Sequence, residues 1–429
     1  MLNSTRSQSI GVTNVVEPRT LRKTILAVLL VCALVSLGTG IRNALAKNRS
    51  QDFQWSGANL LVNRVDPWLD FMQGDPEHRI ILVQIPNYLP LLYVMLAPLG
   101  AMPMASAKVI WLIVNIICCV VSAVLCSRFY GLRTYDRIVL MALLLMSTAT
   151  RNSIGLGQQS LLVLLFWAVA LCRPWKMHSP ITFGLSYFKY SFAPPGFLFL
   201  LAEKGWMPAS ISLLPAAVSF FIAYFWLGGG LFSLSGMISF LVEPLRVAQT
   251  GYTGGPGPNL MEIIQASFAG YHPPFWLFVT AVYGIPIVAS GVLIFYISRQ
   301  QMNFSFQARI AFLALISVAL FKHHSYDNVL LIFPAALALQ NLRLFAAQMV
   351  MGFLGFCWFL DRVIDQVAPH LHYVYLAQFG VLVLMGVCLY RTACESASIR
   401  ELVSAPLGPH RLAMQTMFVP HQRKSKDYR

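Results

Sequence analysis

Apolar positions along the chain come in long blocks rather than in alternating or heptad patterns. Predominantly apolar runs fall at about 24–41, 88–101, 108–127, 138–150, 155–172, 178–201, 207–230, 274–297, 308–321, 328–340, 344–360 and 372–390. Short polar stretches separate most of them. About 20 apolar residues in a helix cross the hydrocarbon core of a bilayer, and several of these runs are shorter than that. In lipid every backbone polar group must be paired within the chain, which leaves helices for runs of this kind. The pattern predicts an all-α membrane protein, a polytopic helical bundle of about 12 transmembrane helices, with 10–13 as the range. It divides into a tail over 1–23, a transmembrane domain over 24–391 and a basic tail over 392–429. No internal repeat is visible.

Composition agrees with this reading. Of 429 residues, 57% are hydrophobic and 11% are charged. Soluble domains carry about 25% charged residues, so this chain lacks the charge for a solvated surface. The eight cysteines show no CxxC or Cys/His spacing, which argues against a disulfide framework and against zinc. No metal site and no cofactor are expected.

Charge then gives orientation. The net charge is +15, and Arg6, Arg19, Arg22 and Lys23 precede the first run. Arg400, Arg411, Arg423, Lys424, Lys426 and Arg429 follow the last. Basic residues near span ends mark the cytoplasmic side, so both tails read as cytoplasmic and the span number as even. Counted run by run, Arg128, Arg133 and Arg137 fall outside, as do Arg173 and Lys176, against that rule. The outer segments are then 42–87, the Gly/Pro-rich 231–273 and the turn Lys322–Asp327. The first holds five of the chain's 16 acidic residues. Within it, 52–63 reads as a short helix lying in the membrane interface, apolar side down.

Few residues have the chemistry and the placement for a site. Asp52 follows the first span and could accept a proton from a hydroxyl; an ordinary solvated loop acid is the plainer reading. Asp66-Pro67-Trp68 reads first as a turn with an interfacial Trp. Lys189 lies inside an apolar run, where a charge costs ~3 kcal/mol or more, so it should face a cavity or an anion such as phosphate. Lys322, His323, His324 and Asp327 cluster between two apolar runs, where they could bind phosphate, tune each other or simply cap a span. Gly157-Gln158-Gln159-Ser160 suits close helix packing.

The order of these pieces resembles glycosyltransferase family 87, polytopic enzymes of the C type that include polyprenyl-phosphate-mannose-dependent α-mannosyltransferases. The likeness runs from Asp52 through Asp66-Pro67-Trp68, Asn87-Tyr88-Leu89-Pro90 and Ala97-Pro98-Leu99. It continues through Gly157-Gln158, Phe183-Gly184-Leu185-Ser186-Tyr187-Phe188-Lys189, Glu203-Lys204-Gly205-Trp206, Gly257-Pro258-Asn259 and His323-His324-Ser325-Tyr326-Asp327. The resemblance implies transfer of a sugar, mannose above all, from a polyprenyl phosphate to a glycolipid or glycan on the outer face of a bacterial inner membrane. It makes Asp52 the general base and Lys189, His323 and His324 the candidates for holding the donor phosphate. Asp66, Trp68, Tyr88, Gln158, Asn259, Tyr326 and Asp327 become supporting or acceptor-side residues. The other reading is a transporter or flippase of a lipid-linked sugar, but such proteins favour repeat symmetry and midplane polar sites. Here the polar residues gather at outer span ends.

Overall fold

The computed structural model describes residues 19–404 apart from 47–48, 174–175, 231–232, 251–258, 269–273, 301–303 and 361–372. Most of both predicted tails, with Arg6 and Arg411–Arg429, and the Gly257-Pro258 pair lie outside the described residues. Every regular element among the described residues is helical. Five helices are long and apolar enough to cross a membrane: Thr20–Leu45, Met104–Phe129, Trp206–Trp226, Trp276–Arg299 and Leu376–Ser398. A sixth arises if Thr134–Met146 and Thr148–Leu156, bent by 53° at their junction, count as one. The bend sits at Ser147, whose hydroxyl accepts from Thr150 N at 3.1 Å and donates to Leu144 O at 2.7 Å. A side chain that pairs with the backbone in this way ends one helix and caps the next.

The chain runs as α1 (Arg19–Leu45), α2 (Trp55–Val62), α3 (Pro67–Met72), α4 (Pro90–Gly100) and α5 (Met104–Phe129). Then come α6 (Thr134–Met146), α7 (Thr148–Leu156) and α8 (Ser160–Leu171). The segment 55–62 thus forms the short helix expected there. It packs closely on α4: Gly100 leaves room for the Ala58 backbone, where a Cβ would come within 2.7 Å. Asn59 reinforces the contact by donating to Gly100 O at 2.8 Å.

The run 178–201 differs from the single span that its hydropathy suggests. It breaks into α9 (Ser179–Gly184), two 3-10 turns (Leu185–Phe188 and Tyr190–Phe192) and α10 (Ala193–Lys204). Pro194 and Pro195 fall in the first turn of α10, where a missing N–H costs nothing. Lys189 sits between the two turns in extended backbone. The lysine therefore interrupts a helix instead of lying inside one. After it come α11 (Trp206–Ile211), α12 (Leu214–Trp226), α13 (Leu234–Thr250), α14 (Leu260–Ser267) and α15 (Phe275–Val279). A π-helical turn, Thr280–Gly284, leads into α16 (Ile285–Arg299). The last elements are α17 (Phe306–Leu320), a 3-10 segment (Ser325–Leu331), α18 (Ile332–Gln340), α19 (Phe345–Gly355) and α20 (Tyr373–Ser404).

Contacts between helix ends sort the molecule into two poles. At one, Tyr130 donates to Gln307 O at 2.8 Å and Gln307 donates to Phe129 O at 2.7 Å. Arg309 pairs with Glu203 at 2.8 Å beside them. The C-terminal ends of α5 and α10 and the N-terminal end of α17 thus lie together. Cys126 and Cys172 touch, which brings the end of α8 to the same pole. At the other pole Lys108 donates to Ala46 O at 2.8 Å, and Trp226 donates to Leu61 O at 2.8 Å. The chain's best candidate chemistry lies at this second pole.

Candidate functional site

The loop after α1 is clamped from several directions. Asp52 N donates to Leu156 O at 3.0 Å. Gln159 Nε2 donates to the carbonyls of Asp52 at 2.7 Å and Phe53 at 3.1 Å. Phe53 stacks on Trp111 with ring centroids 5.5 Å apart, and Trp111 donates to Gly157 O at 2.8 Å. Gly157 ends α7 at φ +73°, and a Cβ there would lie 3.0 Å from Phe53 Cβ. Glycine fits both the left-handed backbone and the close approach. On the other side Gln54 receives Tyr93 Oη at 3.0 Å and donates to Ile85 O at 3.1 Å. The Asp52 backbone is therefore fixed, and the residue is half-buried.

Across from it lies the pair that the broken run creates. Lys189 Nζ donates to both Asp327 oxygens, at 2.5 and 2.6 Å. Ser160 Oγ donates to Oδ1 at 2.5 Å, His323 Nδ1 lies 3.2 Å from Oδ2, and His324 N donates to Oδ2 at 3.3 Å. The ammonium also sits over the Tyr326 ring at 4.9 Å. His323 is buried and stacked on Phe192 at 4.3 Å, with no partner for its Nε2 among the described residues. His324 lies at the exposed rim, against Tyr326.

Asp52 faces this group. Its carboxyl lies near the Gln158 amide and feels the charges of Lys189 and Asp327. Desolvation raises its pKa above the usual 3.8; Gln158 and Lys189 pull it down and Asp327 pushes it up. For Asp327, burial alone would raise the pKa, but Lys189 and His323 reverse the sign and hold it below the usual value. One carboxylate is locked by its donors and the other is not. Tyr88 completes the wall: buried, with Oη 3.4 Å from Gln158 Oε1.

The structure thus brings Asp52, Tyr88, Gln158, Lys189, His323, His324, Tyr326 and Asp327 together from five separated segments. Asn259 adjoins them, donating to His323 O at 3.4 Å. Asp66 and Trp68 stand one layer back. Asp66 caps α3 by accepting from Trp68 N at 2.9 Å and Leu69 N at 3.0 Å, and Trp68 donates to Tyr88 O at 3.2 Å. Ser160, Gln159 and Glu262 adjoin these residues, and sequence reasoning gave them no role in the site. The first two lie beside Gln158 in a motif that reads as helix packing. The Asn259-x-x-Glu262 spacing of a capping box was the available signal for the third.

Set beside known proteins, the model of glycosyltransferase family 87 matches residues 87–334, more than half of the chain. No curated protein and no solved structure matches.

Proposed function

The chain belongs to glycosyltransferase family 87, a membrane glycosyltransferase with a sugar donor and an acceptor, and from that premise we propose that it moves mannose from a polyprenyl phosphate to a glycolipid or glycan, with Asp52 as general base. A transporter role has no place in this reading. The observation that carries the proposal is the convergence of the Asp52 carboxyl with Gln158, Lys189 and Asp327 at one pole of the helical bundle.

The chemistry follows from two unlike carboxylates. Asp327 is occupied by its donors, so Asp52 is the group free to act. The acceptor hydroxyl gives its proton to Asp52 as its oxygen bonds to C1 of the sugar. The bond from C1 to the phosphate oxygen breaks, and the polyprenyl phosphate leaves with the electron pair. With one base and no carboxylate nucleophile, the step is a single displacement and inverts C1. Negative charge grows on the departing phosphate, and Lys189, His323 and His324 are the residues that receive it. Asp327 keeps the Lys189 ammonium in place before the donor arrives, so little reorganisation accompanies the reaction.

The same reading sets the protein in its membrane. With α4 kept at the site pole, and with the broken run 178–201 counted as one passage up and one down, the chain makes twelve crossings. Both tails then share one side. Arg128–Arg137 and Arg173–Lys176 join them there, in line with the basic residues expected on the cytoplasmic face. The active site faces the exterior of a bacterial inner membrane. Helix α2 lies at that outer interface.

The donor assignment has a direct test. Protein reconstituted in vesicles is expected to move label from polyprenyl-phosphate mannose to membrane lipid and to leave nucleotide-linked mannose untouched. Transfer from the nucleotide sugar alone would overturn the donor assignment.

A further inference from the structure

Beside the Lys189–Asp327 pair lies a second polar cluster that the displacement step does not use. Glu262, on the first turn of α14, is 2% exposed. Its N–H donates to Asn259 Oδ1 at 3.0 Å, and Asn259 Nδ2 donates to its carboxylate at 2.5 Å. Through the Asn259 contact with His323 O, this carboxylate is tied to the turn that carries Asp327. Tyr190, next to Lys189 in the chain, has both Glu262 and Tyr283 within electrostatic reach. Tyr326 and Lys322 likewise face Glu262. Helix α14 packs against the π-helical turn that holds Tyr283. Such π turns recur at functional sites, where they re-aim a side chain.

Tyr190, Tyr283 and Tyr326 are each partly buried, and none of their hydroxyls has a hydrogen-bond partner among the described residues. Half-buried phenols gathered around one buried carboxylate offer hydrogen bonds to a polar ligand that enters between them. The mix of groups selects the ligand. A carboxylate accepts, an ammonium donates, phenols do either, and aromatic rings offer flat apolar faces. A prenyl chain needs none of the polar groups, and a phosphate would be repelled by Glu262. A pyranose ring, with several hydroxyls and one apolar face, uses all of them.

We propose that Glu262, Tyr190, Tyr283 and Tyr326, with Lys322 at the edge, form a subsite for the hydroxyls of a hexopyranose ring. The proposal rests on the glycosyltransferase reading and deepens it. Two sugars have this chemistry, the one transferred and the terminal sugar of the acceptor, and the experiment separates them. Glu262 binds ligand hydroxyls here and takes no proton in the reaction.

Two variants test the subsite in the full-length protein in lipid nanodiscs. Glu262→Gln keeps the shape and removes the charge. Tyr283→Phe keeps the ring and removes one oxygen, so its fold is expected to be native. Saturation-transfer NMR with methyl mannoside, glucoside and galactoside reports binding without turnover. The native protein should give signals from at least one glycoside, and both variants should weaken them. In transfer assays Glu262→Gln should lower kcat/KM by roughly ten- to a hundredfold, the loss of a charge-assisted hydrogen bond. Monodeoxy sugars locate the contact. Removing one particular hydroxyl should cost the native protein about tenfold or more on the same basis and cost Glu262→Gln nothing further. That hydroxyl on the donor identifies the transferred sugar, and on the acceptor the acceptor sugar. Glycoside binding that depends on Glu262 in a protein that transfers nothing would sink the transferase reading and leave the subsite standing. Native-like dependence on every hydroxyl in both variants, an equal loss across the whole panel, or no glycoside binding by the native protein would overturn the subsite.

Discussion

Asp52 and Asp327 show how the surroundings divide two identical side chains into different tasks. Asp327 accepts hydrogen bonds from Lys189, Ser160 and the His324 backbone and lies against His323, and its pKa is held down. Asp52 is desolvated with weaker compensation, and its pKa is raised above 3.8. Environments that push two carboxyl groups apart in this way assign their roles. A base works only when deprotonated, so kcat/KM should fall as pH drops through the Asp52 pKa. The acid limb of the profile should therefore lie above the value of an ordinary aspartate; a limb below pH 3.8 would contradict the assignment. Lys189→Ala should raise the KM for donor more than the KM for acceptor, measured by varying each separately; equal changes would remove Lys189 from the donor side. Lys189 stood out in the sequence because a lysine inside an apolar run is costly, whereas Asp52 on its own read as a solvated loop acid and owed its role to the family resemblance. The pairing of Lys189 with Asp327, 138 positions away, was not legible. No local pattern encodes a contact of that separation, and Asp327 read only as one member of a polar turn.

At the scale of elements, two joints hold the site. The first is the seat of the Asp52 loop on the end of α7. Gly157→Ala would put an L residue at φ +73° and press on Phe53. Strain and overpacking of this kind cost about 1–3 kcal/mol. The variant should stay folded with reduced kcat, read by thermal melting alongside turnover; unchanged turnover would detach the loop position from the chemistry. The second joint ties the turns around Lys189 to the segment Ser325–Leu331. Asp327→Leu or Lys189→Met alone leaves a buried charge without its partner and should destabilise by about 3–5 kcal/mol, while the double change Lys189→Met with Asp327→Leu should recover much of that. Denaturation of the three variants in one detergent checks the cycle, and additive losses would show that the two side chains do not act as a pair. Hydropathy gave the helices of this region but not their break. A window that averages over 178–201 sees an apolar run, whereas Lys189 and the prolines at 194 and 195 act at single positions. A short interfacial helix was expected over 52–63 from apolar residues loosely interleaved with polar ones; the helix itself covers Trp55–Val62.

Across the whole molecule, the separation of charge into two poles matters most. Asp52, Asp66, Glu262 and Asp327 gather at the site pole, and the basic turns after α5 and α8 lie at the other. Counting apolar runs one by one puts those turns on the side of the site, because it takes α4 as a crossing and 178–201 as a single one. In the topology proposed above the two differences cancel in the total and show only in the sidedness of the loops between them. Cysteines introduced at Arg133 or Lys176 should react with an impermeant thiol reagent only from the cytoplasmic face, and one at His78 only from the exterior. Labelling of Arg133→Cys from outside would invert the arrangement. The claim on which the rest depends is that Asp52 is the base of a sugar transfer. The most direct measurement is transfer of radiolabelled mannose from polyprenyl-phosphate mannose to membrane lipids by the native protein and by Asp52→Asn, each reconstituted and shown to be folded. The account predicts label transfer by the native protein and a loss of about 10²- to 10⁴-fold in the variant, the usual worth of a general base. Full transfer by Asp52→Asn would contradict it.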